Sequence, residues 1–438
     1  MLVLKFGGTS VGSAERIKEV ANLIDDNKQK IVVLSAMSGT TNALVEIINF
    51  LYENNHIKAN ELITNLEDKY NIVVDELFNT KKYKEKGYDL VKNHFEQLRL
   101  FTRDVFTQHE EKELLANGEL ISTALMQFHL EEKGIKSNLI SALNFMRINK
   151  SEEPDYEYIT KNLKKELDSL GNYNIIITQG FICRNAYGSI DNLKRGGSDY
   201  SASIIGAVSN ASEIQIWTDI DGVHTNDPRI VEDTHAIAEL SFDEAAELAY
   251  FGAKILHPTC VMPAKMKNIP VRIKNTLDPK ADGTLITDNT TKVDIKAIAA
   301  KDGITAIKIK SGRMLMAYGF LRKVFEIFET YQTSIDMITT SEVGVSVTID
   351  DDKNLDKIIA DLKKYGTVDI DNNQVIVCIV GNLIAENNGI AASVFNAIKD
   401  IPVRMISYGG SNHNISILVK AEYKKQTLVT LNEKLFNK

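Results

Sequence analysis

The sequence predicts an α/β protein built around a mainly parallel sheet, followed by a smaller α+β part made of two ferredoxin-like units. Three observations lead there. Short β-branched runs alternate with amphipathic helical stripes from the N-terminus onward, glycine-rich turns separate them, and the last third of the chain repeats itself in degenerate form.

At 438 residues the chain exceeds what one core usually supports, so two or three domains are expected. Hydrophobic residues make up 44% and charged residues 25%, close to the average for folded soluble proteins. Lys and Arg number 51 against 59 Asp and Glu, a net charge of −8, which argues against nucleic acid or an anionic membrane surface as partner. No apolar run has the length of a membrane span and no signal-peptide layout is present, so a cytoplasmic location is expected. Cys183, Cys260 and Cys378 are far apart and odd in number, and the histidines are scattered. Neither a disulfide framework nor a structural zinc or histidine-based metal site is expected, and Cys183 reads as a small packing residue rather than a nucleophile.

Residues Leu2 to Phe6 form an apolar run ending in glycine, after which Ile17, Val20, Ala21 and Ile24 recur at helical spacing. The unit repeats with Ile31 to Leu34, the loop SAMSGTTN, and a helix striped by Leu44, Ile47, Ile48 and Leu51. From about Tyr52 to Glu113 the composition turns to Lys, Glu, Asn and Asp, predicting a helical insertion at one edge of the sheet. The α/β rhythm resumes in GELISTALMQF, with Ile121, Ala124, Leu125 and Phe128 on one face, then in strands near Leu139 and at NIIITQGF. Ser241 and Glu244 have capping-box spacing, so a helix is expected to start there. The strand IPVRIKN completes the first domain, and the turn-rich stretch after Leu277 marks a boundary, giving domains of residues 1–292 and 293–438. In the second, GFLRKVFEIF at Gly319 matches GIAASVFNAI at Gly389, SIDMIT matches PVRMIS, and GVSVTI matches NISIL. Each copy reads as a βαββαβ unit, and the two either pack together or exchange strands.

Four clusters carry charge or glycine where the strands of such a sheet end. In KFGGTSVGS, Gly7 and Gly12 have the spacing of a Walker loop, but Ser13 stands in place of its lysine and Lys5 precedes the glycines. Gly7 and Gly8 suit either a phosphate held by backbone amides at a helix start or an ordinary turn. KRGGSD pairs glycines with Arg195, which suits a bidentate carboxylate clamp or a solvated basic turn with Ser198 or Asp199 as N-cap. WTDIDG brings Asp219 and Asp221 to the end of a strand, where carboxylates serve Mg²⁺ or a ribose, although loop punctuation suits Asp221 better. FGAKILHP places Lys254 just after a helix, and NGE places Glu119 at the start of one. Two lysines, an arginine, two glycine turns and several carboxylates at one sheet edge form a set suited to phosphoryl transfer.

With KFGGTSV, SAMSGTTN, NGE, TQGF, RGGSD, WTDIDG, TNDPR and FGAKILHP in this order, the sequence resembles the aspartate kinases of the amino-acid kinase superfamily, across nearly its whole length. The resemblance implies the three-layer amino-acid kinase fold with tandem ACT domains behind it, in a monofunctional form. It implies that Lys5, Gly7 and Gly8 receive the transferring γ-phosphoryl group of ATP, with Thr9 and Ser10 in the same loop, Lys254 as a second cation and Asp199 orienting the lysines. It also implies that Thr41, Glu119, Phe181, Arg195, Ser198 and Asp199 surround L-aspartate, that ATP lies against Thr218, Asp219, Gly222 and Arg229, and that Mg²⁺ is held mainly through the ATP phosphates. The product implied is 4-phospho-L-aspartate. His224 and Lys194 depart from the tyrosine and glycine of many relatives.

In the first repeat, Met314, Gly319, Phe320, Leu321, Ser334, Ile335, Asp336, Thr340, Ser341 and Glu342 resemble the effector site of lysine-sensitive relatives. Met316 and Ala317 replace polar residues found in some of them, which leaves lysine, threonine or neither as effector, with a pair of structural dimerisation modules as the alternative reading of the tail. A homodimer through the ACT domains, or a higher homo-oligomer, is implied. Two other readings remain: a kinase of the same superfamily acting on another small acid, and an amino-acid sensor whose kinase domain is inactive.

Overall fold

The computed structural model describes residues 1–103, 105–171, 174–193, 196–252, 258–288, 294–310 and 318–436. In chain order the first elements are β1 (Leu2–Phe6), α1 (Ala14–Ile24), β2 (Lys30–Leu34), α2 (Thr40–Tyr52), α3 (His56–Leu77), α4 (Lys81–Leu100), α5 (Gln108–Glu132) and β3 (Ser137–Leu139). Next come α6 (Ala142–Phe145), α7 (Tyr156–Ser169), β4 (Ile175–Gln179), β5 (Ile182–Arg184), β6 (Ile190–Asn192), α8 (Gly197–Ser209) and β7 (Glu213–Thr218). They are followed by β8 (Glu239–Leu240), α9 (Phe242–Tyr250), α10 (Pro258–Met266), β9 (Val271–Asn275) and β10 (Thr284–Ile286). The tail holds β11 (Ala297–Lys310), α11 (Phe320–Thr330), β12 (Ile338–Ser341), β13 (Gly344–Ile349), α12 (Leu355–Leu362), β14 (Thr367–Val380), α13 (Ile390–Ala397), β15 (Met405–Tyr408), β16 (Asn414–Lys420) and α14 (Lys424–Leu435). Two compact units divide the chain: Met1–Val223 with Leu256–Asn289, and His224–Ile255 with Thr290–Lys438.

In the first unit, β3, β4, β2, β1, β7 and β9 run parallel in that order, and β10 is antiparallel to β9. Side chains alternate across the pleat. Leu4, Phe6, Val32, Leu34, Ile175, Ile177 and Trp217 join one core with the apolar stripes of α1 to α5. Helix α8, whose buried residues lie outside that cluster, contacts β1, β2 and β7 from the opposite face, and α10 packs on α8. The sheet is therefore the middle of three layers, as the resemblance implies, and is mainly parallel, as the alternating strands and helices predict.

Helices α3 and α4 lie within the stretch expected at an edge of the sheet, but they thicken one helical layer instead. Their buried Ile63, Tyr70, Val74 and Phe95 share the core of α1, α2 and α5, because those helices carry apolar residues on more than the sheet-facing side. A second difference concerns Glu119, expected at a helix start. A capping box of Thr107 and Glu110 starts α5 eleven residues earlier, so Glu119 sits in the middle of a 25-residue helix. No helix among the described residues is long and apolar enough to cross a membrane.

In the second unit β11 to β16 form one antiparallel sheet in the order β12-β13-β11-β14-β16-β15. The order is a palindrome of the repeat. Each copy supplies an edge strand and its neighbour, while β11 and β14, each of 14 residues, run through both halves. Ala297 to Lys301 pair with Val380 to Ile376, and Ile304 to Lys310 pair with Gln374 to Thr367, with the register broken between Lys301 and Ile304. Separate cores result: Ile307, Val324, Phe328, Val347 and Ile358 in one half, and Val377, Val394, Ile417 and Leu431 in the other. Matching glycines, Gly319 and Gly389, start α11 and α13 with φ of 82° and 85°.

Helix α9 begins as expected, with Ser241 and Glu244 exchanging capping hydrogen bonds. Glu244 also meets Lys296 at 3.0 Å with both side chains buried. Breaking one partner of a buried pair strands the other charge, so Glu244→Ala is expected to cost about 3–5 kcal/mol in urea denaturation. Adding Lys296→Met is expected to recover most of that loss; a double variant no more stable than the single one would contradict the pairing.

Candidate active site

Strand β1 lies between β2 and β7, with Lys5 in register with Val33 and Ile216. Lys5 shares the parity of Val3 and so points to the face covered by α8, whereas Leu4 and Phe6 enter the other core. There its Nζ meets Asp199 Oδ1, in the first turn of α8, at 2.7 Å, with side chains 12% and 16% exposed. One side-chain parity thus brings together two residues that are far apart in the sequence.

The glycine turn after β1 wedges between the next loop and β7. Gly7 N donates to Trp217 O at 3.3 Å, Ser38 N donates to Gly8 O at 3.1 Å, and Ser10 N donates to Gly7 O at 3.0 Å. A Cβ on Gly8 would sit 2.9 Å from Ala36 O, so glycine permits the contact. Thr9 is exposed, while Ser10 is buried and shares a 2.7 Å hydroxyl hydrogen bond with Thr276. The Ser10 side chain therefore anchors the loop to the end of β9. In the SAMSGTTN loop, Thr40 is buried against Tyr70 Oη at 2.9 Å, and Thr41 is exposed in the first turn of α2.

Glu119 gathers three of the motifs. Its Oε2 accepts from Gly180 N at 3.0 Å and Phe181 N at 2.6 Å, in the TQGF turn after β4. Its Oε1 accepts from Ser198 Oγ at 2.9 Å, at the start of α8. Ser35 Oγ donates to Ser198 Oγ at 3.0 Å, and Ser122 Oγ donates to Ser35 O at 2.8 Å. Glu119 is 3% exposed. Burial pushes its carboxyl up to about 7, against the hydrogen bonds from Phe181, Ser198 and Gly180 and the nearby Lys5 charge, which pull it down.

Helix α8 starts at Gly196, whose φ of 74° favours glycine, so Ser198 and Asp199 lie inside the first turn rather than capping it. Both can then point toward the strand ends. A Cβ on Gly180 would lie 2.5 Å from Ser198 Cβ, and one on Gly197 would lie 2.4 Å from Phe181 Cδ2. The two turns interlock through their glycines.

At the end of β7, Thr218 Oγ1 donates to the exposed Asp219 Oδ1 at 3.2 Å. Gly222 has a φ of 130°, and its missing Cβ leaves room for Thr284 Oγ1. Arg229 belongs to the second unit, where Asp227 holds its guanidinium with bonds of 2.9 Å and 2.8 Å. Arg195, Lys254 and Lys194 lie outside the described residues. Cys183 is fully buried and its thiol is pushed up by that burial, in keeping with a packing role.

In the second unit, Gly319 and Phe320 form the start of α11, with Phe320 buried and Leu321 exposed. Ser334 is exposed, Ile335 packs on the core of that half, and Thr340 and Ser341 end β12 with Glu342 directly after it, all three exposed. Asp336 is buried beside Lys301 Nζ at 2.7 Å. Met314, Met316 and Ala317 lie outside the described residues. Nothing in the sequence pointed to Thr276 or Ser122, whose partners are set by tertiary packing alone. Ser35 did carry a signal, as a hydroxyl directly after a parallel strand.

Gly180→Ala is expected to push the TQGF turn off α8 and break the Glu119–Ser198 hydrogen bond, costing about 1–3 kcal/mol of stability from overpacking. Thermal unfolding checks this, and an unchanged midpoint would show that the turn has slack.

The profile of the amino acid kinase family matches residues 1–275, and that of an ACT domain matches residues 377–435. The chain is 33% identical to lysine-sensitive aspartokinase 3 of Escherichia coli (strain K12), over 100% of this chain and 99% of that protein. Its fold is similar to the crystal structure of E. coli aspartokinase III in complex with aspartate and ADP, with a TM-score of 0.85 and 32% identity over 100% of both chains. The same relative in complex with lysine and aspartate aligns with a TM-score of 0.83 and 33% identity, over 100% of this chain and 99% of that one. The chain belongs to the amino acid kinase family, among its aspartokinases with C-terminal ACT domains.

Proposed function

We propose that this chain transfers the γ-phosphoryl group of ATP to the side-chain carboxylate of L-aspartate, giving 4-phospho-L-aspartate and ADP, under control of an amino acid bound to its ACT half. The observation that carries the reading is the joining of Lys5–Asp199 to the Glu119–Ser198–Gly180–Phe181 cluster through adjacent residues of one helix turn. A phosphate-directed cation and a polar cradle thereby share one end of the parallel sheet, where such folds take their ligands.

The attacking group is a carboxylate whose ordinary pKa is about 3.9, ionised at neutral pH, so the enzyme needs no general base. A carboxylate oxygen forms the new bond to phosphorus, the bond from phosphorus to the β,γ-bridging oxygen breaks, and its electron pair leaves with ADP. Both reactants are anionic, so the work is electrostatic. Lys5 supplies charge to the γ-phosphoryl oxygens while Asp199 holds its ammonium in place; Gly7 and Gly8 offer backbone amides, with Thr9 beside them. Lys254 is proposed as the second cation. Glu119 receives the α-ammonium of aspartate, Arg195 its α-carboxylate, and Thr41, Phe181 and Ser198 complete the cradle. Thr218, Asp219, Gly222 and Arg229 are assigned to ATP.

Mg²⁺ would neutralise charge on the phosphates when bound with ATP. Among the described residues no group of three His, Cys, Asp or Glu converges as an ion site. Asp219, exposed after β7, is the carboxylate suited to a phosphate-borne ion. Exposed Ile338 on β12 and Ile406 and Tyr408 on β15 support a homodimer through the ACT sheet edges. The similarity to a lysine-sensitive relative favours lysine as effector over threonine.

Lys5→Ala is expected to lower kcat by about 10²–10³-fold or more in a hydroxamate assay, the scale of losing one preorganised donor. Near-normal turnover would defeat the assignment. Arg195→Ala is expected chiefly to raise the KM for aspartate, and an unchanged KM would reject the clamp.

The raised Glu119 carboxyl makes a pH test. Its ionised form attracts ammonium, so at saturating ATP, kcat/KM for aspartate should fall by about tenfold per unit well below pH 7. In Glu119→Gln the amide oxygen can still accept from Gly180 and Phe181 while the amide nitrogen donates to Ser198. That variant should lose the acidic limb, and a limb that persists would reassign the titration. Stability moves with it: the folded state holds this proton more tightly, so its contribution falls as pH rises from 4.5 to about 7.

A further inference from the structure

The helical stretch from about Tyr52 to Glu113 holds none of the residues assigned to ATP or aspartate, yet its helices grip two of the segments that do. Helix α3 meets the SAMSGTTN loop through adjacent residues. Lys69 Nζ donates to Ser38 O at 2.9 Å, and the buried Tyr70 hydroxyl shares a 2.9 Å hydrogen bond with Thr40 Oγ1. Helix α4 meets the NGE segment, where His94 Nδ1 lies 2.7 Å from Asn117 Oδ1. The Asn117 amide nitrogen donates to Glu113 O and Leu114 O, so its oxygen is left to accept and the proton sits on His94 Nδ1. Tyr70 packs on Phe95, the neighbour of His94, with ring centres 5.8 Å apart, which joins the two supports.

Between these supports the loop and α5 touch each other. A Cβ on Gly118 would lie 2.9 Å from Ala36 Cβ and 3.2 Å from Thr40 Cγ2. Thr40 is therefore fixed from two sides, by Gly118 of α5 and by Tyr70 of α3. The residue after Thr40 is Thr41 and the residue after Gly118 is Glu119, both assigned above to aspartate. Just before Thr40, Gly39 turns the chain into α2 with a φ of 79°. A Cβ there would lie 3.5 Å from Lys69 Nζ, so the ammonium sits over the turn. Glycine in such a turn is conformationally free, and the bond from Lys69 to the Ser38 carbonyl fixes the peptide that enters it.

We propose that Lys69 and Tyr70 are positioning residues through which the helical insertion sets the affinity for the amino-acid substrate, by holding Thr41 at a fixed separation from Glu119. The inference rests on the assignment of those two residues under Proposed function and adds the groups that place them. Neither Lys69 nor Tyr70 needs to touch the substrate. A contact that serves the ground state and the transition state alike is felt in KM and hardly in kcat, so loss of either support weakens aspartate binding and spares turnover. The glycine turn that faces ATP has holds of its own, from Gly7 N to Trp217 O and from Ser10 to Thr276, so the effect falls on one substrate.

The test is Tyr70→Phe in the full chain, which deletes the hydroxyl and keeps the ring against Phe95, beside Lys69→Met and Lys69→Arg. In aspartate-dependent ADP formation, Tyr70→Phe and Lys69→Met should each raise the KM for aspartate about three- to tenfold, the scale of one hydrogen bond, with kcat and the KM for ATP within about twofold of the wild type. Lys69→Arg still donates to Ser38 O and should restore most of the lost affinity. A merely structural role would lower the melting temperature of Tyr70→Phe and leave the KM for aspartate unchanged; that result, or equal rises in KM for both substrates, would overturn the proposal. Lys69→Met, at an exposed position, decides the matter if Tyr70→Phe does not fold. A wild-type chain without aspartate-dependent turnover would overturn the functional reading and this inference with it, whereas an active wild type whose variants match it would overturn this inference alone.

Discussion

The catalytic unit depends on one buried carboxylate. Glu119 is carried into the interior by the middle of α5, where an unpaired charge is untenable, and it is held there by two backbone amides and a hydroxyl from segments that are distant in sequence. Meeting that requirement ties the end of β4 to the first turn of α8. Asp199 is thereby placed over the sheet, and Lys5 completes the arrangement from β1. The cost of leaving Glu119 unsatisfied is thus part of what aligns the groups proposed to bind aspartate and phosphate.

The regulatory unit is organised by a different constraint. A ferredoxin-like unit has exposed strand edges, and two tandem units would ordinarily present twice as many. Running β11 and β14 through both halves converts inner edges into paired strands and leaves β12 and β15 outermost. The junction is also the place where the register breaks, and a β-bulge is a means of redirecting a side chain. Lys301 stands there, beside Asp336 and Asp350. Continuity of the two long strands joins the halves through hydrogen-bonded sheet rather than through a linker.

Much of this architecture was legible in the chain. The stripes Ile17, Val20, Ala21, Ile24 and Leu44, Ile47, Ile48, Leu51 are buried in α1 and α2, because a helix covering a sheet must put its apolar residues at that spacing. The capping box at Ser241 was legible because its two partners lie three residues apart. The paired glycines before α11 and α13 were visible as an internal repeat. Less legible were the starts of α5 and α8. At α5 the stripe resumed only at Ile121, although Thr107 and Glu110 had the spacing of a cap. At α8 Gly196 took the cap position through a left-handed φ, which displaced the expected Ser198 and Asp199 into the helix.

By itself the sequence determined the alternation of strands and helices, the duplicated tail and the family, since periodicity, turn chemistry and motif order are local and survive without coordinates. Tertiary structure alone decided that Lys5 faces α8 and that Gly180 and Gly197 interlock. It also decided that Ser10 is occupied by Thr276, and that Asp336 already has Lys301 and Tyr250 of its own chain as partners. Each of those facts depends on which distant segments meet, and a polar side chain reveals its role only when its partner and its burial are known.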